Sequence, residues 1–275
     1  AKETLMLTRS LIPLVLGSLL TGCASDDVED TDVADTDVED TDTDMEMDEA
    51  QLRVAHFSPD APAVDIFVNE GDTLAFTGAS FTSASEYAVL PVDSYDVQIS
   101  AAGTTAADAV FSVEGIAVEA DKAYTAIAHG YLAPGEGENG FAVTILVDDW
   151  MDIPDGSFRV QVVHAAAAGA FGTVDVWNVS DKTAPSPLVP GFNYGDAVTT
   201  DLPAGAYDVC LDVDADAVCD ATFSLPELTA GFINLVATND VDGTPSLVAI
   251  LEDGTSVSIA ANRSEERRVG KECRS

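Results

Sequence analysis

The stretch that decides the fold is RVAHFSPDAPAVDIFVN, residues 53–69, in which two short apolar runs flank a turn. Pro59 and Pro62 interrupt the chain between the runs, and neither run is long enough for a stable helix. Further along, runs rich in Val, Ile, Phe and Tyr alternate with Gly, Pro, Asp and Ser clusters at spacings of roughly 8–12 residues. This texture predicts antiparallel β-structure, and the strands expected in the first half are 52–57, 63–69, 86–90, 93–101, 108–114, 122–130 and 141–148.

The second half of the chain repeats the first. The opening stretch returns loosely as RVQVVHAAAAGAFGTVDVWNV at 159–179, so that Val64-Asp65 corresponds to Val174-Asp175. LPVDSYDVQI at 90–99 returns as LPAGAYDVCL at 202–211. Copies of this length suit tandem domains rather than solenoid repeats. We therefore predict an all-β protein with two tandem antiparallel β-sandwich domains, immunoglobulin-like or transthyretin-like, at 51–153 and 154–262, each with its own core.

The stretch VAHFSPDAPAVDIFVN resembles the opening of a bacterial cell-envelope family, the domain of unknown function numbered 4397. The resemblance is specific over 53–69 and extends over 52–149, and it is looser over 158–254. It implies extracellular β-sandwiches, often in tandem and often behind a lipoprotein signal. It implies no biochemical activity.

The N-terminal residues 1–22 have the pattern of a secretory signal. Lys2 and Arg9 precede an apolar run from Leu11 to Leu20, which is too short to cross a bilayer because about 20 residues are needed. The run ends in Leu20-Thr21-Gly22-Cys23, which resembles the bacterial lipobox. We therefore expect a lipid on Cys23, attachment to a membrane through it, and a place in the cell envelope, at the outer membrane of a Gram-negative bacterium.

Residues 23–50 are expected to form a lipidated N-terminus followed by a disordered acidic linker. Within them, residues 26–50 hold fourteen acids and neither a base nor an aromatic residue. Such a run cannot bury enough apolar surface to offset its ordering entropy. It could act as a solvated spacer or bind calcium, and its composition favours the spacer.

The C-terminal segment 263–275, RSEERRVGKECRS, is abruptly basic and is similar to one reading frame of a sequencing adapter, so we treat it as non-native.

The chain carries a net charge of −38, and residues 23–262 alone hold 45 acids and four bases. The charge of that part, near −41, excludes nucleic acid as an expected partner because phosphates repel it.

His56 and His164 occupy equivalent positions at the ends of two predicted strands. Each could be a ligand or an acid–base group, or could instead brace the following loop through a hydrogen bond. The bracing interpretation is favoured because neither histidine has an evident histidine partner. The Ser58-Pro59-Asp60 segment is interpreted as a rigid turn, in which Pro59 presets φ and the side chains of Ser58 and Asp60 are expected to bond to nearby backbone amides. No nucleophile elbow, phosphate loop or zinc spacing occurs in the sequence. We therefore predict no catalytic, cofactor or metal residues, and a protein that is not an enzyme.

Asp212, Asp214 and Asp216 begin like an EF-hand loop. Ala217 stands where that loop requires glycine, and Phe223 where it requires a bidentate glutamate. The segment is therefore interpreted as a hairpin turn with acids facing water.

Cys210 and Cys219 flank this turn and are predicted to form a disulfide. Their strand parities differ, so one cysteine must occupy a bulge or a loop position.

These features favour a non-enzymatic structural or adhesive envelope protein. The alternative is a binding module for an extracellular polysaccharide or small ligand. A polysaccharide binder would expose aromatic side chains along one face, and the candidates are Trp150, Trp177, Tyr131 and Phe171.

Overall fold

The structure, a computed structural model, describes residues 48–69 and 73–262. The signal segment 1–22, the lipidation site Cys23, nearly all of the linker 23–50 and the tail 263–275 lie outside the described residues. Within the described ranges, no helix is long and apolar enough to cross a membrane. These predictions about the ends of the chain therefore stay predictions.

The first half of the described chain forms two sheets that pack face to face. One has the order β4-β1-β8-β9, with β5 also paired to β1, and the other has the order β3-β2-β6-β7. The strands are β1 (Glu49–Phe57), β2 (Val64–Val68), β3 (Thr73–Ala79), β4 (Ser83–Ala84), β5 (Ala88–Pro91), β6 (Ser94–Ala101), β7 (Phe111–Ala117), β8 (Ala123–His129) and β9 (Ala142–Asp148).

The second half has the same arrangement with one additional edge strand. Its sheets have the orders β13-β10-β16-β17-β18 and β12-β11-β14-β15. The strands are β10 (Ser157–His164), β11 (Thr173–Asn178), β12 (Ser186–Asn193), β13 (Ala197–Pro203), β14 (Asp208–Asp212), β15 (Ala221–Ser224), β16 (Gly231–Asn239), β17 (Pro245–Ile250) and β18 (Ser256–Ala260). Only two short 3-10 turns, Ala106–Asp108 and Gly169–Phe171, interrupt the β-structure of the described residues.

The predicted all-β sandwich fold is confirmed, and each of the seven strands predicted in the first half coincides with an observed strand. Strand β3 and the two-residue strand β4 were not predicted. One pairing in each half also differs from the antiparallel expectation, because β1 runs parallel to β8 and β10 runs parallel to β16.

The repeated Val-Asp pair marks a β-bulge in both halves. Asp65 accepts a hydrogen bond from the amide of Gly78 at 2.8 Å, and Asp175 accepts one from Gly191 at 2.6 Å. Both glycines have φ of 62°, a left-handed conformation that side chains with a Cβ rarely adopt. The pairing register shifts beside each aspartate. The repeated Val-Asp pair thus supplies the aspartate that stabilises the bend in β3 and in β12.

A layer of apolar side chains lies between the two halves. Alternate residues of β16 point in opposite directions, so Leu235 joins the core of the second sandwich while Val236 packs toward the first half. The layer consists of Ala55, Phe57, Ile127, Leu146, Val163, Ala165, Val236, Val248 and Ile250. Each sandwich also has an interior core of its own. The division into domains at 51–153 and 154–262 stays a prediction, and neither half alone would retain this layer.

Truncating a side chain in this layer should lower the free energy of unfolding much more than truncating one at a partly exposed position nearby. Ile127 is fully buried, whereas Ile145 on the adjacent strand is 38% exposed. We expect Ile127→Ala to lower the free energy of unfolding by about 2–5 kcal/mol and Ile145→Ala to lower it less than half as much. Urea titration followed by circular dichroism measures both. Equal losses would contradict the presence of a packed layer at Ile127.

Candidate functional site

A buried polar network connects the two halves beside the apolar layer. Arg53 of β1 is completely buried, and its Nε donates a hydrogen bond to Thr125 Oγ1 at 2.8 Å. Its Nη1 donates to the carbonyl of Leu251, in the second half, at 2.6 Å. The guanidinium carbon lies 4.5 Å from the centre of the Tyr87 ring, which is cation–π distance. The only arginine of the first half is thus used in the contact with the second.

Asp148, the last residue of β9, is the acidic member of this network. It accepts hydrogen bonds from Thr125 Oγ1, from Tyr87 Oη at 2.9 Å and from Asn234 Nδ2 of the second half at 3.0 Å. Asn234 Nδ2 also donates to Thr125 Oγ1 at 3.0 Å. Burial raises the pKa of the Asp148 carboxyl, while these hydrogen bonds and the charge of Arg53 act in the opposite direction. Burial likewise raises the pKa of Tyr87, with the charge of Asp148 as the next cause.

The network is suited to holding the two halves in register. Each group is at most partly exposed, and its partners are other side chains or main-chain carbonyls of the same protein. Removing one member of a buried charged network leaves the other charge without a partner. Sequence reasoning missed these residues, although a single arginine within a buried apolar strand of a chain so poor in bases was an available signal.

Asp148 and its neighbour Asp149 provide a matched pair of substitutions. Asp148→Ala removes the acceptor of three hydrogen bonds and a negative charge that interacts with the buried guanidinium, and should cost about 3–5 kcal/mol of unfolding free energy. Asp149 is exposed and forms a surface ion pair with Arg159, so Asp149→Ala should cost about 1 kcal/mol or less. Urea titrations of the two variants and the wild type decide the point. A loss below about 1 kcal/mol for Asp148→Ala would contradict a stabilising role for the network.

His56 and His164 both hydrogen-bond to the loops that follow their strands. His56 Nε2 lies 3.0 Å from the carbonyl of Pro62, and its Nδ1 accepts from the amide of Ser58 at 3.2 Å. His164 Nε2 lies 2.6 Å from the carbonyl of Phe171. Both rings are 1% exposed, and burial lowers the pKa of each. The geometry is that of the bracing interpretation, with a neutral ring that donates through Nε2.

A third histidine forms a cluster that sequence reasoning missed. His129 Nδ1 lies 2.7 Å from Tyr194 Oη, and its Nε2 lies 2.8 Å from Thr144 Oγ1. The Tyr194 ring also packs edge-on against His164, so it lies between histidines from the two halves. The structure thus places His129 and His164 against the same tyrosine, which the sequence does not indicate because these residues are far apart along the chain. Burial, and then the charge of His164, lowers the pKa of His129 to about 4.

Stability should depend on pH through His129. Its folded-state pKa of about 4 lies below the ordinary value of 6.5, so the unfolded chain binds the proton first. The contribution is complete above pH 6.5 and is lost as pH falls toward 4, with a total on the order of 3 kcal/mol. His129→Gln keeps a hydrogen-bonding side chain but removes the titration, so the difference in stability between wild type and variant should shrink over this range. An NMR titration that places the His129 pKa near 6.5 would contradict the prediction.

The Ser58-Pro59-Asp60 turn fastens a loop of its own sandwich. Asp60 accepts hydrogen bonds from the amides of Leu132 and Ala133, at 2.7 and 2.9 Å. We expected bonds to nearby amides, and the structure instead shows bonds to a segment about 70 residues away. The turn is therefore a structural clamp between the β1–β2 and β8–β9 connections.

Cys210 and Cys219 form a disulfide with Cα atoms 5.5 Å apart. Cys210 is buried within β14, while Cys219 lies in the loop before β15, where Thr222 and not Cys219 pairs with Cys210. This arrangement satisfies the parity argument, since one cysteine occupies a loop position.

The expectation that the acids of this loop face water is wrong for Asp212, which is 2% exposed. Asp214 and Asp216 are exposed.

The cavities inside the sandwiches are small and apolar. They have volumes of about 50 and 60 Å³ in the first and second half, against several hundred for typical ligand pockets. An open groove of about 540 Å³ lies at the ends of β16 and β17. Its ionisable side chains are Glu227, Glu252 and Asp253, and no histidine, cysteine or lysine lines it.

The aromatic candidates for a polysaccharide platform do not share an exposed face. Tyr131 and Phe171 are buried, at 5% and 9% exposure. Trp150 packs edge-on against Tyr87 of the first half and Phe232 of the second. Trp177 is only partly exposed. The proposed platform therefore lacks most of its members.

Comparison with known proteins gives a family without an assigned activity. The model of the domain of unknown function family DUF4397 matches residues 50–177, which include nearly all of β1, all of β2 to β10 and most of β11. No curated protein matches the chain. A solved structure described as "Alpha-glucan binding by a streptococcal virulence factor" is similar at 12% identity over 68% of this chain and 93% of that chain, with a TM-score of 0.23. Similarity at that level supports no inference about fold or ligand.

Proposed function

We propose that this protein is a lipid-anchored cell-envelope protein with a non-enzymatic structural or adhesive role. The proposal rests first on the sequence, in which Cys23 follows a short signal-like apolar run. Once acylated, Cys23 is the membrane attachment. Ala24 follows it in place of the acidic retention signal familiar in some Gram-negative bacteria, which favours the outer membrane.

One observation supports the non-enzymatic role most directly. The buried histidines and the buried carboxylate whose pKa values are shifted, His56, His129, His164 and Asp148, are each at most 5% exposed. Each is hydrogen-bonded within the protein, to a loop carbonyl or to a neighbouring side chain. Catalytic acids and bases must reach a substrate, and these groups are instead positioned to stabilise loops and the contact between halves.

We further propose that the second half is a diverged copy of the same family domain. Its sheets repeat the strand order of the first half, its β11 carries the same bulge-bracing aspartate, and its His164 occupies the position of His56. The acidic segment 26–50 would then hold the two sandwiches away from the membrane. Its fourteen acids repel one another, which favours an extended spacer.

Binding to an extracellular polymer remains the second candidate role. The structure offers it no aromatic platform among the described residues, because Tyr131 and Phe171 are buried and Trp150 packs between the halves. A polymer partner would have to be recognised by loops or by the polar outer faces of the sheets. The strongly negative charge favours a cationic or neutral polymer over an anionic one.

Lipidation at Cys23 tests the anchoring part of the proposal. Cells that express the protein are labelled with palmitate, and the wild type and Ser25→Ala should both carry label and fractionate with membranes. Cys23→Ala should carry no label and appear in the soluble fraction. Equal membrane association of all three proteins would contradict lipid anchoring.

The adhesive role is tested with the full chain carrying Cys23→Ala, attached to beads. Beads coated with it should aggregate with one another or adhere to cells of the source bacterium more than beads coated with an unrelated acidic protein. Absence of any adhesion, together with saturable turnover of ester, glycoside or phosphate substrates, would overturn the proposal.

A further inference from the structure

The loop between β14 and β15 gathers acidic side chains around a small space. Carboxylate oxygens of Asp212, Asp214 and Asp216 lie within 4.8 Å of one another. The disulfide between Cys210 and Cys219 closes the loop at its base. Oxygen atoms at this separation suit a hard divalent cation such as calcium, which binds oxygen ligands at about 2.3–2.6 Å.

Asp212 is the member of the group that needs a partner. The residue is only 2% exposed. Oδ2 accepts a hydrogen bond from the amide of Ala217 at 2.9 Å, but Oδ1 is buried and receives no hydrogen bond within the described part of the protein. Buried carboxylate oxygens are normally paired with a donor or a cation, because desolvation without compensation is costly. This carboxylate, with one oxygen unpartnered, belongs to the cluster formed with Asp214 and Asp216.

The surroundings add negative charge and supply no ion pair. Asp175 of β11 stands directly opposite Asp212 in the pairing of β11 with β14, and like charges in that position repel. Both ion pairs found among the described residues are made by Arg159, elsewhere in the structure.

We propose that this loop is a calcium-binding site in which Asp212, Asp214 and Asp216 each provide a carboxylate oxygen. The ion neutralises the repulsion among these acids and gives the buried Oδ1 of Asp212 its missing partner. The ligands alternate along the chain, as in the first half of an EF-hand loop. Ala217, which stands where that loop has glycine, adopts the left-handed φ of 63°.

The site departs from an EF-hand in its second half, and this sets the expected affinity. Phe223 replaces the bidentate glutamate and is fully buried in the core of the second sandwich, so it offers no ligand. With fewer carboxylate contacts, the dissociation constant should lie in the range of extracellular calcium modules, about 10⁻⁴–10⁻³ M. Magnesium should bind more weakly, because it requires a tighter octahedral arrangement and keeps its water.

The test uses the purified full chain, its double variant Asp214→Asn with Asp216→Asn, and a control double variant. The control, Asp155→Asn with Asp242→Asn, removes the same charge from two exposed aspartates in other turns. Calcium binding is measured by isothermal titration calorimetry. The melting temperature is measured with and without about 5 mM calcium chloride, against magnesium chloride and against sodium chloride of equal ionic strength.

We expect the wild type and the control to bind calcium alike and to gain several degrees of melting temperature with calcium and little with magnesium. The loop variant should bind at least ten-fold more weakly and lose the gain in melting temperature. Calcium taken up by the acidic segment 26–50 is common to all three proteins and cancels in the comparison. Equal binding and an equal thermal response in the loop variant and the control would overturn the proposal, as would a wild type that does not respond to calcium.

Discussion

The structure depends on one buried charge, the guanidinium of Arg53. A cation without access to water is stable only if charged and polar partners surround it. Thr125 and the Tyr87 ring provide part of that environment from the first sandwich, and the carbonyl of Leu251 adds to it from the second, while Nη2 of Arg53 has no hydrogen-bond partner among the described residues. Since Asp148 also accepts a hydrogen bond from Asn234, the polar network has partners from both sides only when the two halves are joined.

The contact between the halves also explains why the chemically versatile residues are inaccessible. Strands β1, β8, β10 and β16 lie between a sandwich core and the apolar layer, so both of their faces are mostly buried. The histidines and the carboxylate of Asp148 lie on or beside these strands and take part in structural hydrogen bonds. What remains available for interaction is the outer sheets, the loops and the charged surface. This distribution supports the proposed structural or adhesive role.

The sequence predicted the features that follow from local pattern. Alternating apolar residues and turn clusters indicated the strands, and the repeated Val-Asp pair indicated equivalent positions in two halves. Strand parity indicated that one cysteine must lie in a loop. The contact between halves was not predictable in this way, because a run such as Val54 to Phe57 is buried on both sides whether it faces one partner or another. The cluster of His129, His164 and Tyr194 depends on that contact and was missed with it. Strand β3 was missed because it contains Gly78, a residue type that in sequence indicates a turn.

The most direct test of the joined structure is calorimetric unfolding of the intact chain. If the Arg53 network and the apolar layer unite the halves, residues 48–262 unfold in one transition in which the calorimetric enthalpy equals the van't Hoff enthalpy. The thermogram would then show a single peak. Two resolved transitions, each with the enthalpy of about one hundred residues, would show that the halves unfold independently and would contradict the dependence of each on the other.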